Sequence, residues 1–530
     1  MTTTLICGAN VVDGSGAAPY LADVLIVNGR IEAIAQGIEA PNVERVEAAG
    51  AYLTPGFIDV HSHTDLAPFI DDGFLPKARQ GVSSELCGVC GLGVAPLSRD
   101  LHRGWQNHYI IGGKQELWPW QSYAEYCCRL REKGLALNLG PLLPHGVLRY
   151  QLCQESQQPM NGMQLKQLAA LADEALDVGA LAISLGLIYY PALFSRMDEL
   201  KVLAARASAY GRPLVVHLRS ESDEILQALQ ELIDLCEACQ CRLHISHLKL
   251  IGQRNATHLA ELLKRIERHQ LSFDSYPYHY GSTTLMSLLP PELLVGETRQ
   301  SLFAKLDQPS TRSELRLWYQ EHIRPGPQSA WDNLPALVGW HNILITAVAD
   351  VSAERYLGLS LAQCAELEQQ HPVDFMVDLL IAQQGQVRFI DYYMDEALVG
   401  AILAHPQGMV GSDTLLGGRL HPRVCGSFAR IIHQFVQKER LLTLPQAIRK
   451  MTGLSAETFG IKGRGLIRPG YAADLALFGH DFRDHATIES PGSYASGLQG
   501  LWVNGARLVT EDRFDSDCSA GVVLSGSDGS

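Results

Sequence analysis

Short apolar runs, each followed by a longer amphipathic stretch, recur through the middle of the chain. Stretches such as MDELKVLAARASAYG and ATHLAELLKRIERHQ space their apolar residues as amphipathic helices do. The apolar runs are TPGFIDVHS, GVSSELCGVCG, LALNLGPLL, ALAISLGL, PLVVHLRS, CRLHISHLK, LSFDSYPY and GMVGSDT. Eight strand–helix repeats predict an α/β fold in which eight parallel strands, buried on both faces, close into a (β/α)8 barrel of the TIM type.

The two ends of the chain have a different pattern, in which apolar segments are interrupted by turn signals. Asn28-Gly29 and Asn504-Gly505 each separate two apolar runs, which is a strong hairpin signal. We therefore expect residues 1–53 and 466–515 to be two parts of one small β-sandwich. The barrel would then occupy residues 54–465, between these two parts.

The spacing of the predicted barrel strands is interrupted once. The seventh run, near Asp274, and the eighth, near Asp413, are separated by on the order of 100 residues more than one strand–helix unit needs. We expect this excess, about residues 285–400, to form a lid insertion between strands 7 and 8. At the end of the chain, the Gly- and Ser-rich residues 516–530 predict a flexible tail.

Composition and charge exclude some classes of function. The 530 residues carry a net charge of -14 and contain no basic run of the kind that nucleic acid requires, so we expect neither a nucleic-acid partner nor attachment to an anionic membrane. The start, MTTTLICGANVVDGSG, lacks the regions of a signal peptide, and no apolar segment is long enough to span a bilayer. Twelve cysteines without export signals predict free thiols and a cytoplasmic protein.

Side chains with metal affinity stand at the ends of five of the apolar runs. In an extended strand residues i and i+2 face the same way, so the two histidines of HSH can reach one point. Because the carboxyl ends of barrel strands meet at one face, we expect a metal site there. A single residue of this kind would more often be a satisfied core residue, but here there are six. The candidate ligands are His61, His63, Cys90, His217, His247 and Asp413.

Other cysteines leave two alternatives open. The pairs Cys87/Cys90 and Cys236/Cys239 both have CxxC spacing, which is compatible with a structural zinc knuckle. Long helix-like segments separate the two pairs, whereas zinc ribbons form in compact units, so we favour the site at the strand ends. Cys87 also remains an alternative to Cys90 as the ligand of that site.

Several motifs carry a family resemblance. PGFIDVHSH, the HL and SHLK histidines, GSDT and GLIRPGYAADLALF resemble the amidohydrolase superfamily. Within it, GVSSELCGVCGLGVAPLS, SLGLIYYP, HLRSE, HISHLK, YPYHYGST and SDT…HPR…GSFAR resemble the N-acyl-D-amino-acid deacylase (D-aminoacylase) family. The resemblance covers nearly the whole chain. It implies the barrel with a β-sandwich, and zinc-dependent hydrolysis of an N-acyl-D-amino acid or related linear amide to a carboxylate and a free D-amino acid.

The resemblance implies a tightly bound zinc ion held by Cys90, His217 and His247. This assignment is chemically reasonable, because a thiolate suits zinc and two neutral imidazoles complete a three-ligand site with one position open for water. Zinc lowers the pKa of bound water to about 7 and polarises the scissile carbonyl.

The remaining candidates, His61, His63 and Asp413, would line a second, weaker divalent metal position, which the Cys90 thiolate can bridge. Asp413 would also be the catalytic residue that takes the proton of the attacking water and returns it to the leaving nitrogen, because an unprotonated amine leaves poorly. The alternative role for Asp413 is an N-cap of the following helix.

Substrate contacts are also implied by matched family positions. Lys249, Tyr276 and Ser282 match the residues that hold the α-carboxylate of the D-amino acid. Tyr189 or Tyr190 would donate a hydrogen bond to the developing oxyanion, although packing in the pocket wall is an equal alternative.

Two arginines are less clearly assigned. Arg219 would either contact the substrate or pair with Glu221 or another acid as scaffold. Arg423, in HPR, would be either a substrate contact or a structural clamp. His145, in LPHGVLR, also resembles the family, but the sequence gives it no role.

Departures from the family pattern affect positions that border the pocket. Val89 stands where Asn usually precedes the ligand cysteine, Thr414 where Gly is common, and Ala429 where Pro often follows Phe. None of them removes a metal ligand, but they leave the substrate range open.

Two other functions remain alternatives. A cyclic-amide hydrolase resembling dihydroorotase or hydantoinase would more often bridge its metals with a carboxylated lysine, where this chain has a cysteine. A non-catalytic scaffold of the same fold would typically have lost ligands, whereas all six are present. We expect a small-molecule N-acyl amino acid as the partner, and the sequence leaves a homo-oligomer open.

Overall fold

The structure is a computed structural model that describes residues 3–70, 73–106, 118–321 and 331–526. The part of the predicted lid at 322–330 and the last four residues of the predicted tail therefore lie outside the described residues. None of the helices in the described ranges combines the length and the apolar character that a bilayer-spanning segment requires.

Strands and helices alternate along most of the chain. The strands are β1 (Thr3–Val11), β2 (Tyr20–Val27), β3 (Arg30–Ala35), β4 (Glu44–Glu47), β5 (Tyr52–Pro55), β6 (Phe57–Asp59), β7 (Ser62–His63), β8 (Val82–Cys87), β9 (Asn138–Pro141), β10 (Leu143–Pro144), β11 (Ile183–Gly186), β12 (Pro213–His217), β13 (Arg242–Ile245), β14 (Ser272–Ser275), β15 (Tyr280–Thr284), β16 (Ile343–Val348), β17 (Val387–Tyr392), β18 (Gly408–Val410), β19 (Thr414–Leu415), β20 (Leu475–Arg483), β21 (Ser496–Val503), β22 (Ala506–Thr510) and β23 (Arg513–Phe514). The helices are α1 (Leu75–Ala78), α2 (His102–Gln106), α3 (Tyr123–Lys133), α4 (His145–Cys153), α5 (Gly162–Val178), α6 (Met197–Ala209), α7 (Ile225–Cys239), α8 (Leu259–Arg268), α9 (Pro291–Leu294), α10 (Arg299–Leu306), α11 (Pro309–Glu321), α12 (Leu334–Val338), α13 (Leu361–Leu367), α14 (Pro372–Ala382), α15 (Glu396–Ala404), α16 (Arg423–Arg430), α17 (Leu444–Met451) and α18 (Gly453–Phe459).

Both ends of the chain contribute to one nine-stranded sheet. Its order is β23-β22-β21-β20-β5-β1-β2-β3, with β4 beside β1. The antiparallel pair β20–β5 joins the C-terminal strands to the N-terminal ones. The predicted hairpins at Asn28-Gly29 and Asn504-Gly505 are confirmed, with positive φ at all four residues. Because β5 pairs with both β20 and β1, strand pairing joins the two ends of the chain in a single sheet.

Parallel strands occupy the middle of the chain, at the predicted apolar runs. They pair as β6-β8-β9, as β10-β11-β12-β13-β14-β18, and as β19-β7. All residues of β11 and β12 are buried, as strands covered on both faces must be. Helix α6 packs against β12 and α7 against β13. The α/β class is as predicted, and strand pairing assigns the parallel strands to three sheets.

The connecting helices have well-defined ends that follow from their sequences. Helix α5 begins after Asn161, whose side chain accepts hydrogen bonds from the backbone N–H groups of Met163 and Gln164. It ends at Gly179, where φ is 114° and a side chain would be strained. Such caps fix where each helix returns the chain to the next strand.

The long segment between β14 and β18 has its own small sheet. Strands β15, β17 and β16 pair antiparallel in that order, and helices α9 to α15 lie in the same segment. One part of this segment, the strand β15, carries Ser282 to the cavity described below.

The predicted flexible tail differs in the structure. The Gly521 N–H donates to the Leu135 carbonyl at 2.7 Å, and the Leu524 N–H to the Leu139 carbonyl at 2.8 Å. The side chains of Val523 and Leu524 are buried. Residues 521–524 therefore pair with residues 135–139, up to and into β9, and the Gly526 N–H donates to the Gly179 carbonyl. Its Gly and Ser content favours disorder, but the pairing depends on a free strand edge that composition cannot reveal.

Candidate metal centre

The six predicted ligands come from the carboxyl ends of five parallel strand segments and meet in one buried place. His61 and His63 follow β6, Cys90 follows β8, and His217 ends β12. His247 follows β13 and Asp413 follows β18. All six side chains are buried. Parallel strands bring residues that are far apart in sequence to one edge, which is why these ends converge.

Cys90 lies at the middle of the cluster. Its Sγ is 3.2 Å from Nε2 of His61 and 3.2 Å from Nε2 of His247. The same Nε2 of His61 also lies 3.7 Å from Oδ1 of Asp413, and this oxygen is 3.3 Å from His63 Nε2. The structure thus forms two overlapping groups, His61–Cys90–His247 and His61–His63–Asp413, and in each the ligand atoms lie within 4.8 Å of one another.

His217 belongs to a third group, together with His247 and Glu221. Its ring centroid is 4.4 Å from that of His247, and its Nε2 is 3.5 Å from Glu221 Oε2. Neither of its ring nitrogens makes a hydrogen bond to the residues that the structure describes. The group of Cys90 and the group of His217 share His247, and the Cys90 and His217 side chains also interact with each other.

Backbone conformation at the cluster is unusual. The backbone φ angles of Cys90, His247 and Asp413 are 54°, 33° and 51°. These values lie in the left-handed region, which residues other than Gly and Asn rarely adopt. Such strain is kept where the surrounding structure over-determines it, most often at functional sites. Gly186 allows the turn at Cys90, because a Cβ there would lie 1.8 Å from the Cys90 carbonyl oxygen.

Asp274 orients the His61 ring through a contact with its Nδ1 atom. Its Oδ2 is 3.3 Å from His61 Nδ1 and 2.9 Å from His244 Nε2, while its Oδ1 accepts the backbone N–H of His247 at 3.0 Å. A carboxylate at Nδ1 favours the tautomer with the proton on Nδ1, so the lone pair of Nε2 faces the cluster. Sequence reasoning missed this role, although Asp274 lies within the seventh apolar run.

The sequence analysis gave Glu221 only one role, as an acid that pairs with Arg219. In the structure its Oε1 lies 2.7 Å from Lys249 Nζ and 3.1 Å from His247 Nδ1. Arg219 instead binds Glu231, with Nε 3.1 Å from Oε2. The sequence did contain a signal for this position near the cluster. Glu221 stands four residues after His217, in the loop that follows β12.

Electrostatics favour the ionised forms of the anionic ligands. Burial by itself raises the pKa of Cys90, but the neighbouring His61 and His247 together lower that pKa well below its ordinary value. Burial likewise raises the pKa of Asp413, but the Arg423 guanidinium and then His63 hold it well below its ordinary value. One thiolate, several imidazoles and a carboxylate form a donor set that suits zinc.

A cavity of about 1210 Å³ opens onto the cluster. Its wall includes three of the predicted ligands, His217, His247 and Asp413. Six of the seven predicted substrate residues also line it: Tyr189, Tyr190, Arg219, Lys249, Tyr276 and Ser282.

The contacts of the lining tyrosines differ. The Tyr189 hydroxyl is 3.3 Å from Thr283 Oγ1, and the Tyr190 hydroxyl donates to the Glu155 carbonyl at 2.7 Å. The Tyr276 hydroxyl is buried and interacts with the Tyr393 side chain, but it makes no well-formed hydrogen bond to the described residues. Of the three, Tyr276 therefore has the hydroxyl most available to a ligand.

Arg423 is placed differently from the other predicted substrate residues. It is fully buried, lies outside the described cavity wall, and its Nη1 is 2.8 Å from Asp413 Oδ2. Its Nη2 also donates to the Ser282 carbonyl at 3.4 Å. These contacts correspond to the clamp alternative and not to a direct substrate contact.

His145 also lies in a buried cluster, with Nε2 2.6 Å from Glu199 Oε1. Arg149 binds the other oxygen of Glu199, and Ser195 Oγ donates to Glu199 Oε1 at 3.2 Å. This network fixes the loop that follows Tyr190 and ends at Ser195, a part of the cavity wall.

Comparison with known proteins gives consistent similarities. A model of the amidohydrolase family matches residues 357–509. The chain is 31% identical to the N-acyl-D-aspartate deacylase of Alcaligenes xylosoxydans xylosoxydans, over 98% of this chain and 95% of that protein. A D-aminoacylase structure that concerns a binuclear metal center has a TM-score of 0.82 and 28% identity, over 98% of this chain and 99% of that one. The N-acyl-D-glutamate deacylase of Bordetella bronchiseptica, complexed with zinc and a phosphonate that mimics the tetrahedral intermediate, has a TM-score of 0.82 and 27% identity over the same shares.

Proposed function

Because this chain belongs to the N-acyl-D-amino-acid deacylase family of the amidohydrolases, we propose that it hydrolyses the amide bond of an N-acyl-D-amino acid. The chain is a metal-dependent hydrolase of C–N bonds. The products would be a carboxylate and a free D-amino acid. The observation that carries the substrate assignment is the convergence of Cys90, the histidines and Asp413 at a cavity whose wall presents Lys249 and Tyr276.

We propose that Cys90, His217 and His247 hold a tightly bound zinc ion. The unpartnered ring nitrogens of His217 and the short distance from Cys90 to His247 support this assignment. Bound zinc supplies a Lewis acid that activates water and polarises the carbonyl of the substrate.

A second, weaker metal position would be lined by His61, His63 and Asp413. The overlap of the ligand groups at His61, which contacts both Cys90 and Asp413, supports a bridging role for the Cys90 thiolate.

Asp413 would move the proton. It lines the cavity, its carboxylate is ionised because Arg423 lowers its pKa, and it lies beside the histidines of the cluster. An ionised carboxylate can accept a proton from water and then return it to the leaving nitrogen. Arg423 would hold Asp413 in place and therefore act as a positioning residue.

The substrate would be held mainly by three residues. Lys249 supplies a cation for the α-carboxylate, Tyr276 supplies a hydroxyl that makes no well-formed hydrogen bond to the described residues, and Ser282 supplies a second hydroxyl. Tyr189, beside His217 with ring centroids 5.1 Å apart, would donate to the oxyanion. Tyr190 and Arg219, which are bound to protein acceptors, would form the outer wall.

We also propose that the three parallel sheets are one closed barrel. Two residues separate β6 from β7, three separate β18 from β19, and Leu142 alone separates β9 from β10. If each of these three pairs is one interrupted strand, the pairings join eight strands into a ring. The sheet of β15 to β17 would then be part of the lid over the open end.

A panel of substrates tests the proposed function. N-acetyl and N-formyl amino acids of both configurations should be assayed with and without added zinc, beside dihydroorotate and a substituted hydantoin. We expect turnover of D-substrates in preference to L-substrates. Turnover of the cyclic amides alone would overturn the substrate assignment, as would the absence of turnover with every D-substrate. A chain that purifies without stoichiometric zinc and binds none would be a scaffold.

A further inference from the structure

Both carboxylate oxygens of Glu221, in the loop after β12, have basic side chains as neighbours. Its side chain is 6% exposed, and its two oxygens face Lys249, His247 and His217 at 2.7, 3.1 and 3.5 Å. Its backbone is fixed on both sides, because its N–H donates to Asp332 at 2.9 Å and its carbonyl accepts the Ile251 N–H at 2.8 Å. The loop therefore holds this carboxylate at one place between the ligand histidines and the lysine.

The Nδ1 atom of His247 has two competing neighbours. Glu221 Oε1 lies 3.1 Å away and can accept a hydrogen bond from Nδ1, whereas Lys249 Nζ lies 2.7 Å away and can donate a hydrogen bond to it. A neutral imidazole carries one proton, so Nδ1 can serve as a donor or as an acceptor but not as both. The protonation pattern of His247 therefore depends on which neighbour bonds to it.

Metal binding requires only one of these patterns. Nε2 of His247 faces Cys90, and it can be a ligand only through its lone pair, so the proton must lie on Nδ1. A proton on Nδ1 needs an acceptor, and among the described neighbours Glu221 supplies it. Lys249 must then direct its own protons to Glu221 and into the cavity.

We infer that Glu221 is a positioning residue that fixes the ligand form of His247 and holds the Lys249 ammonium at the cavity wall. Two donors compete for its oxygens, so the role requires a carboxylate. A glutamine would offer one acceptor oxygen and an NH2 group, which would face either the lysine or the imidazole N–H. The part of the inference that concerns Lys249 rests on the proposed function, whereas the part that concerns His247 does not.

Glu221→Gln is the decisive variant, and Asp223→Asn is its matched control. Asp223 lies in the same loop but pairs with Arg254 at 2.6 Å, away from the cluster. We expect Glu221→Gln to bind zinc about 10- to 100-fold more weakly in a chelator competition. It should also weaken the thiolate-to-metal absorption of the cobalt(II)-loaded protein at equal added metal. Asp223→Asn should match the unchanged protein in both measurements.

Lys249→Met separates the two parts of the role. It removes the competing donor but leaves Glu221 beside His247, so zinc affinity should stay within about threefold of the unchanged protein. Its KM for an N-acyl-D-amino acid should rise, whereas Glu221→Gln should change both zinc affinity and KM. Glu221→Asp, which keeps the charge on a shorter side chain, should lose less zinc affinity than Glu221→Gln. Glu221→Ala, which also removes the carboxylate, replaces the glutamine variant if glutamine prevents folding.

Two results would overturn the inference. One is unchanged zinc affinity in Glu221→Gln, or in Glu221→Ala where that variant replaces it. The other is an equal loss of zinc affinity in Asp223→Asn. Because zinc affinity is measured without substrate, failure of the proposed amide hydrolysis would leave this test of His247 unaffected.

Discussion

The Arg423 guanidinium lies 2.8 Å from the Asp413 carboxylate, and the arginine side chain is completely buried. Arg423 also stacks over the Tyr276 ring, with Cζ 4.9 Å from the ring centroid, and donates to the Ser282 carbonyl. One buried cation therefore connects the proposed proton carrier to two of the proposed substrate residues. A carboxylate paired in this way stays ionised and keeps a fixed direction, which proton transfer requires.

Asp413→Asn tests the proton transfer itself. Asparagine keeps the size of the side chain but cannot accept the proton, so we expect kcat to fall by about 100- to 10,000-fold. The tightly bound zinc should remain at one equivalent, because Cys90, His217 and His247 are unchanged. Turnover is followed with an N-acyl-D-amino acid, and metal content by elemental analysis. Retained turnover would assign the proton transfer to another group.

Arg423→Met tests the effect of the ion pair on pH dependence. Arg423 lowers the pKa of Asp413, so its removal should raise that pKa. The carboxylate must be ionised to act as a base, and a higher pKa means that it is protonated at higher pH. The acidic limb of the kcat/KM profile should therefore move up by about one pH unit or more.

Two further variants control for that experiment. Arg430→Met removes an arginine of the same helix, which pairs with Glu396 outside the cavity, and should leave the acidic limb where it is. Arg423→Lys keeps the charge and should produce a smaller shift than Arg423→Met. An acidic limb that does not move in Arg423→Met would mean that Asp413 is not the group that titrates there.

Cys90→Ser and Cys87→Ser decide which cysteine is the ligand. A neutral serine hydroxyl is a poor zinc ligand, so Cys90→Ser should weaken zinc binding by about 10-fold or more. Cys87 is buried at the end of β8, where burial and then Asp65 raise the pKa of its thiol, so it is not poised as a thiolate. Cys87→Ser should therefore keep its zinc. The reverse result would exchange the two assignments.

Tyr276→Phe removes a hydroxyl that makes no hydrogen bond to the described protein residues. We expect little loss of thermal stability, because no well-formed hydrogen bond to the protein is broken, and a rise in KM of about 10-fold because the hydroxyl would bind the substrate carboxylate. Tyr278→Phe is the matched control, since its hydroxyl donates to the Pro422 carbonyl at 3.4 Å. It should lower the melting temperature slightly and leave KM unchanged. An unchanged KM in Tyr276→Phe would remove Tyr276 from the substrate site.

Local periodicity was sufficient for much of the fold. The parallel strands lie at the apolar runs, and both Asn-Gly hairpins formed, because these features depend on the alternation of a few neighbouring residues. The tail shows the limit of this reasoning. Residues 521–524 pair with β9, from which they are separated by more than 380 positions, and composition carries no information about such a partner.

The sequence by itself determined which side chains stand at the strand ends, since His61, Cys90, His217, His247 and Asp413 each end or follow an apolar run. Only the tertiary structure decided how they are grouped and what supports them. Glu221, Asp274 and Arg423 contact ligands that lie elsewhere in the chain, through hydrogen bonds that form only within about 3 Å. Side-chain positions at that scale follow from the packing of many strands and loops together, and no local pattern of residues encodes them.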